Sequence, residues 1–385
     1  MDWTEPGVLP HQDLFKAIEA RVITARDEIP RSNVQPASLD LRLGSHAHRM
    51  RCSFLPDQES VASKLKEYLL DTIDIEEGAV LEPGRPYLIP LMERLDLPET
   101  VKGRANPKSS TGRVDVLTRV ISDRSHRFDD IRPGYKGPLY LEVVSRSFSV
   151  RVKQGLSLNQ LRLSVGDTRV DDAALLAKHQ QEKMVYDAGG RKVQDKRVIF
   201  QDGLFLTLDL RGDDDGFVGY RARHNSQVLD LAQVGTHRVR DFWEPVFREH
   251  DGPRIVLEPD DFYLLISRES VRVPADYASE MSAFAESAGE LRSHYAGFFD
   301  PGFGHGNDPP GSRAVLEVRA RDVPFMVEQS QPVCKLTYET MRSKPAVLYG
   351  RDTGSNYQGQ IAMLSKHFDR DHTPDAQLSI FPEIR

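Results

Sequence analysis

Cysteine is nearly absent from this 385-residue chain, which has only Cys52 and Cys334. Two thiols build no disulfide framework and point to a reducing compartment. A surplus of positive charge is also missing. With 51 basic and 58 acidic residues the net charge is −7, which argues against a general nucleic-acid or membrane-surface binder. An anionic ligand would need a local cluster of Arg, Lys and backbone N–H groups. No apolar run reaches transmembrane length, and the start "MDWTEPGVLPHQDLF" lacks the basic-then-apolar pattern of a signal peptide. The expected location is the cytoplasm. No Gly-x-Gly-x-x-Gly, Walker A loop or Gly-x-Ser-x-Gly elbow occurs, so three common nucleotide and hydrolase frameworks are excluded.

What remains is a globular composition, 39% hydrophobic and 28% charged, and a repeat. "VLEPGRPYLIP" (Val80–Pro90) returns as "VLEPDDFYLLI" (Val256–Ile266), 256 − 80 = 176 residues later. "LDLP" (Leu95–Pro98) lies against "VRVP" (Val271–Pro274) at the same offset. "LYLEV" (Leu139–Val143) lies against "AVLEV" (Ala314–Val318) at offset 175, and "SLDLR" (Ser38–Arg42) against "TLDLR" (Thr207–Arg211) at offset 169. Conserved order with a drifting offset indicates duplication of half the chain. Both copies read as short alternating strands punctuated by Gly and Pro, the pattern of an all-β barrel or sandwich. "HQDLFKAIEARVI" predicts one amphipathic helix, with Leu14, Phe15, Ile18 and Val22 on a common face. Arg169–Arg197 predicts a charged helix followed by a Gly-bearing linker, which puts the junction near residue 195. The halves are then 1–195 and 196–385.

Three stretches could carry chemistry. "NPKSSTGR" (Asn106–Arg113) gathers Lys108, Ser109, Ser110 and Arg113 around small residues, a composition suited to cradling phosphate. Alone it is equally a polar turn. Its counterpart "FAESAGELR" has no Ser pair and carries Glu286 and Glu290. Glu142 and Glu317, the acids of the two "LEV" strands, each follow a Pro-Gly turn, "IRPGYKG" and "FDPGFG"; the second contains Asp300. A carboxylate in an apolar strand is costly to bury without a partner or a task. "YGRDTGSNYQGQ" (Tyr349–Gln360) could act as a lid or be a surface loop. His46 and His48 share a strand face with no third metal ligand nearby in sequence.

These motifs, in this order, resemble the dCTP deaminase branch of the dUTP pyrophosphatase-like family, in its long duplicated form. The resemblance implies a mainly β chain of two tandem dUTPase-like distorted β-barrel or jelly-roll domains with a few short helices. It also implies assembly as a homo-oligomer, a trimer or pseudo-hexameric arrangement. The implied reaction is hydrolytic deamination of dCTP to dUTP and ammonia, with Mg²⁺ on the triphosphate and no zinc. Zinc-dependent base deaminases need His-x-Glu with Pro-Cys-x-x-Cys, which two distant cysteines cannot supply. By resemblance Ser109, Ser110 and Arg113 hold phosphates and orient the water, with Lys108 where the family usually has Arg. Glu142 and Glu317 match the general base and acid. Ala296, or Ser122 in the first copy, lies by the pyrimidine. Tyr349, Tyr357 and Gln360 match the closing tail, with Asn356 in place of a family Lys.

The Ser pair occurs once and the tail once, so the expected site is composite. Either the tail serves a site built on Glu142, or the first copy lends Ser109 and Arg113 to a site built on Glu317. Rival readings are a dUTP pyrophosphatase, an enzyme with both activities, or a non-catalytic nucleotide-binding protein.

Overall fold

The computed structural model describes residues 2–187, 189–194, 198–283, 291–293, 297–306, 310–320, 322–350 and 363–369. The chain is mainly β with a few short helices, of which the described residues contain α-helices at His11–Glu19, Val61–Tyr68, Ser109–Gly112 and Asp172–Glu182. In the first half, Tyr87–Asp96 lies between His46–Met50 and Lys136–Ser145, with Val116–Ser122 beyond. The second half repeats this order, with Tyr263–Val271 between Phe217–Ala222 and Ser312–Ala320 and with Leu291–Ser293 beyond. A second sheet recurs too. Ser157–Val165 pairs with Leu39–Arg42 and Val101–Pro107, as Pro332–Thr340 pairs with Leu204–Thr207 and Tyr277–Ala283. All these ladders are antiparallel, which suits strands that alternate apolar and polar residues.

The repeated Val-Leu-Glu-Pro motif has a physical cause. In both copies the Val-Leu pair ends a strand and the chain turns back. The N–H of Glu82 donates to the Tyr87 hydroxyl at 3.2 Å, and that of Glu258 donates to the Tyr263 hydroxyl at 3.0 Å. Each phenol is buried and closes the turn from inside, satisfying an N–H that the strand ladder leaves over.

The N-terminal helix stops at Glu19, earlier than its apolar pattern extends. Arg21 takes a left-handed φ of 59°, and Val22 enters the core from the following turn. A helix not expected from the sequence, Val61–Tyr68, starts where Ser63 N–H donates to Ser60 Oγ at 3.1 Å, and leads into the strand Leu69–Asp74.

Two large cores form, and their membership does not respect the sequence halves. The first gathers the buried apolar residues of the first copy but also Tyr220, Leu229, Phe242, Trp243, Phe262 and Phe368. Phe148 stands edge-on to Phe242 and Trp243 at centroid distances of 5.6 and 5.4 Å. Nearby, Val150–Arg151 pairs in parallel with Leu229–Asp230. The helix Asp172–Glu182 belongs to the second core, through Leu175 with its neighbours Val170, Met184 and Val185. Packing therefore changes hands near residue 170, ahead of the junction expected near residue 195. A charged helix read from sequence does not say which core its few apolar residues will join.

Candidate active site at the seam between the halves

The two acid-bearing strands alternate alike but face different neighbours. In Lys136–Ser145, Leu139, Leu141 and Val143 enter the first core while Tyr140 and Glu142 face outward. That outer face is covered by Phe54, Tyr68 and Phe128, which pack with Tyr140 around a small separate cluster. Arg119, directly across the ladder from Glu142, donates from Nε to Glu142 Oε1 at 2.9 Å and is ion-paired through Nη2 as well. The Arg119 guanidinium lies 3.8 Å from the Phe128 ring centroid, and Nη2 also donates to Ser53 Oγ at 3.0 Å. Glu142 is thus closed into a local ion pair. Ser122, in the same strand as Arg119, is buried on the opposite face, in register with Leu139.

In Ser312–Ala320, Leu316, Val318 and Ala320 enter the second core. Val315 packs against the first core, and Glu317 and Arg319 share its face. The surface Glu317 meets is the Ser-Ser-Thr-Gly-Arg segment of the first half. A Cβ on Gly112 would come within 2.6 Å of Glu317 Oε2, so only glycine fits there without moving the acid. Burial pushes the Glu317 carboxyl up to about 8. The Arg113 charge opposes the shift and the Asp115 charge adds to it. Among the described residues no hydrogen bond ends on the Glu317 carboxylate.

The segment Ser109–Gly112 forms one helical turn after Lys108, with Ser110, Thr111 and Arg113 buried and Ser109 half-buried. The stretch 363–369 packs against it. Ser365 Oγ donates to Ser110 O at 2.9 Å, and Arg113 Nη1 donates to Leu364 O at 3.4 Å. From the other side comes the loop before Asp300, where a Cβ on Gly297 would stand 4.0 Å from Ser109 Oγ.

A band of buried charge continues along the seam. Lys108 is ion-paired with Asp40, whose carboxyl burial raises despite that partner. Lys366 is lowered by burial and by the nearby Lys108 ammonium. Asp300 is pushed up to about 6 by burial; Arg162 Nη2 opposes at 3.5 Å from Oδ1, and the charge of Asp40 adds. Arg162, 1% exposed, also ion-pairs with Glu339 at 3.0 Å and lies 3.9 Å from the Phe298 ring centroid. Tyr349 N–H donates to Pro301 O at 2.8 Å, with its ring 5.6 Å from that of Phe303, so it stands on the Asp300 turn.

Six of the expected site residues therefore share one seam: Lys108, Ser109, Ser110, Arg113, Asp300 and Glu317. Glu142 and Ser122 lie in the first half's own ladder instead. Ala296, Asn356, Tyr357 and Gln360 fall outside the described residues. Sequence reasoning passed over Asp40, Asp115, Arg162, Arg319 and Lys366. Arg319 had a usable signal, two residues from Glu317 on the same strand face. Lys366 had none beyond its nearness to the tail.

Residues 5–167 match the family described as 2'-deoxycytidine 5'-triphosphate deaminase (DCD) N-terminal domain, and residues 171–368 match its C-terminal domain. The chain is 27% identical over 184 residues to the "dCTP deaminase, dUMP-forming" of Corynebacterium glutamicum strain R, covering 46% of this chain and 92% of that one. It is 26% identical over 170 residues to the "dCTP deaminase" of Haloarcula marismortui, covering 43% and 83%. The solved structure of the 2'-deoxycytidine 5'-triphosphate deaminase from Agrobacterium tumefaciens superposes with a TM-score of 0.83 at 43% identity, covering 89% of this chain and 99% of that one.

Proposed function

The chain belongs to the dCTP deaminase family, and from that premise we propose that it deaminates dCTP hydrolytically at one composite site per chain, with Glu317 as the working acid and base. The observation that carries this is the contact of Glu317, from the second half, with Gly112 in the hydroxyl-and-arginine segment of the first. Glu142 has no such neighbour and is held by Arg119.

The chemistry suits a carboxyl titrating near 8. It takes one proton from water as the oxygen attacks C4 of cytosine and gives it to N3; it then takes the second from the new C4 hydroxyl and gives it to the exocyclic nitrogen. The C4–N bond then breaks, ammonia leaves, and the ring keeps the water oxygen as a carbonyl. At neutral pH both forms of such a group are populated, so one side chain can serve both directions. We assign the placing of water to Ser109 and Ser110, and phosphate contact to Lys108, Ser109 and Arg113. Ala296 and Asp300 are assigned to the nucleoside, and Tyr349, Asn356, Tyr357 and Gln360 to closure over it. Among the described residues no group of three or more His, Cys, Asp or Glu could hold a metal. The Mg²⁺ in this reading arrives on the triphosphate, as part of the substrate.

Each half is read as one dUTPase-like distorted barrel, and the chain as a homo-oligomer of trimeric or pseudo-hexameric form, testable by light scattering. No helix among the described residues is long and apolar enough to cross a membrane. A second reading adds pyrophosphate release, favoured by relatives named "dCTP deaminase, dUMP-forming". Ammonia and pyrophosphate should be measured separately with dCTP, dCMP and dUTP. Ammonia from dCTP supports the proposal. Pyrophosphate from dUTP with no ammonia from dCTP would replace it with the pyrophosphatase.

A further inference from the structure

Arg319 stands two residues beyond Glu317 in Ser312–Ala320, so both side chains leave the same face toward the first half. Asp115 stands two residues beyond Arg113, in the turn after the Ser109–Gly112 helix. The two meet. Arg319 Nη2 is ion-paired with Asp115 Oδ2, and the side chains are 6% and 0% exposed. Asp115 is fixed from several directions. Its N–H donates to Gly112 O at 2.9 Å, and its carbonyl accepts from Arg146 N–H at 3.0 Å. Ser147 Oγ donates to its Oδ2 at 2.5 Å. Its φ of 56° is left-handed, a conformation Asp tolerates better than most residues. On the other side, the Arg319 guanidinium lies 5.8 Å from the Phe262 ring centroid.

The first half has no counterpart. At the offset of 175 that relates Glu142 to Glu317, the residue matching Arg319 is Val144, and Arg119 engages Glu142 directly. In one half a half-buried arginine neutralises the acid; in the other an arginine beside the acid is drawn past it onto Asp115.

We propose that Asp115 and Arg319 are a positioning pair for the deamination: their ion pair sets the register between the Ser-Ser-x-x-Arg segment and the acid strand, and holds the Arg319 guanidinium away from Glu317. This rests on the reading of Glu317 as the working acid. The pair ties the two sides two residues from Arg113 and two from Glu317, which limits sliding of the strand past the turn. A misplacement of about 1 Å at such a contact is enough to lower turnover on the order of 100-fold. Among the described residues, the charges recorded around Glu317 are Arg113 and Asp115 from the first half and Arg319 on its own strand. Leu264, its partner across the ladder, is apolar.

The test compares Asp115→Asn, Arg319→Lys and the double variant Asp115→Asn/Arg319→Gln in the full chain. Ammonia release from dCTP is followed across pH, with circular dichroism and melting to confirm folding. Asp115→Asn should lower kcat about 10- to 100-fold with a smaller change in KM. The ascending limb of kcat/KM should move to lower pH, because Arg319 is released toward Glu317. The double variant, which restores a neutral hydrogen-bonded pair, should recover part of that kcat. Wild-type kcat and an unmoved limb in Asp115→Asn, alongside an inactive Glu317→Gln, would remove the positioning role and leave the catalytic reading standing. Full activity in Glu317→Gln would remove both. If Asp115→Asn does not fold, Arg319→Lys carries the same expectation, because it keeps the charge and loses the planar fork; wild-type kcat there overturns the proposal.

Discussion

Glu317→Gln and Glu142→Gln should behave as opposites, in activity and in stability. Either change keeps the side-chain size and removes the charge. For Glu317 the chemical loss is that of a general base and acid, about 10²- to 10⁴-fold in kcat, or about 3–5 kcal/mol of barrier. The stability effect has a definite sign. The Glu317 carboxyl rises from 4.5 in the unfolded chain to about 8 in the folded one. Its contribution is fully present below about pH 4.5. It is lost as the pH rises toward 8, because the unfolded state ionises first. At roughly 1.4 kcal/mol per unit, the loss has a ceiling near 5 kcal/mol. Glu317→Gln has no such dependence, so it should gain on the wild type steadily between about pH 4.5 and pH 8. Glu142→Gln should instead destabilise the fold and spare the activity. It leaves Arg119 short of a charged partner and costs about 1–3 kcal/mol with little loss of ammonia release. Urea unfolding at pH 5 and pH 8.5, with kcat for dCTP on the same preparations, checks both. An inactive Glu142→Gln beside an active Glu317→Gln would refute the assignment, and equal half-losses would show two independent sites.

Gly112→Ala places a methyl where Glu317 Oε2 lies at 2.6 Å, so kcat should fall about 100-fold in a folded protein; wild-type turnover would show that the seam is looser than described. Ser109→Ala and Arg113→Ala should weaken dCTP binding by about 1.5–3 kcal/mol for the lost charge-assisted contact, read as KM or direct affinity. Tyr87→Phe and Tyr263→Phe each remove the acceptor that closes a Val-Leu-Glu-Pro turn, and should cost about 1 kcal/mol in denaturant midpoint with kcat unchanged.

Much of this was legible in the sequence because it is local. Alternation located the strands, the repeat related the halves, and the crowding of Lys108 to Arg113 marked the segment that meets Glu317. What could not be read was which glutamate meets that segment. Leu-Glu-Val alternates identically in both copies, and the difference lies in what covers the outer face. Over Glu142 it is the loop and helix carrying Phe54 and Tyr68, together with Phe128 of another loop; over Glu317 it is a turn some two hundred residues away in sequence. Arg162, Asp40 and Lys366 were missed for the same reason. Each is an isolated charge whose meaning comes from partners brought in by the seam.

The shared aromatic packing bears on how such a chain can be divided. Phe148 of the first half is enclosed by Phe242 and Trp243 of the second, and Phe368, near the end of the described chain, stands 5.6 Å from Phe242 and 6.1 Å from Trp243. A gene cut between residues 167 and 171 would yield a first fragment with an open apolar wound and a second fragment holding the rings that should fill it. Joined in one polypeptide, the two find each other at an effective concentration fixed by the tether, and dilution cannot separate the acid from its hydroxyls.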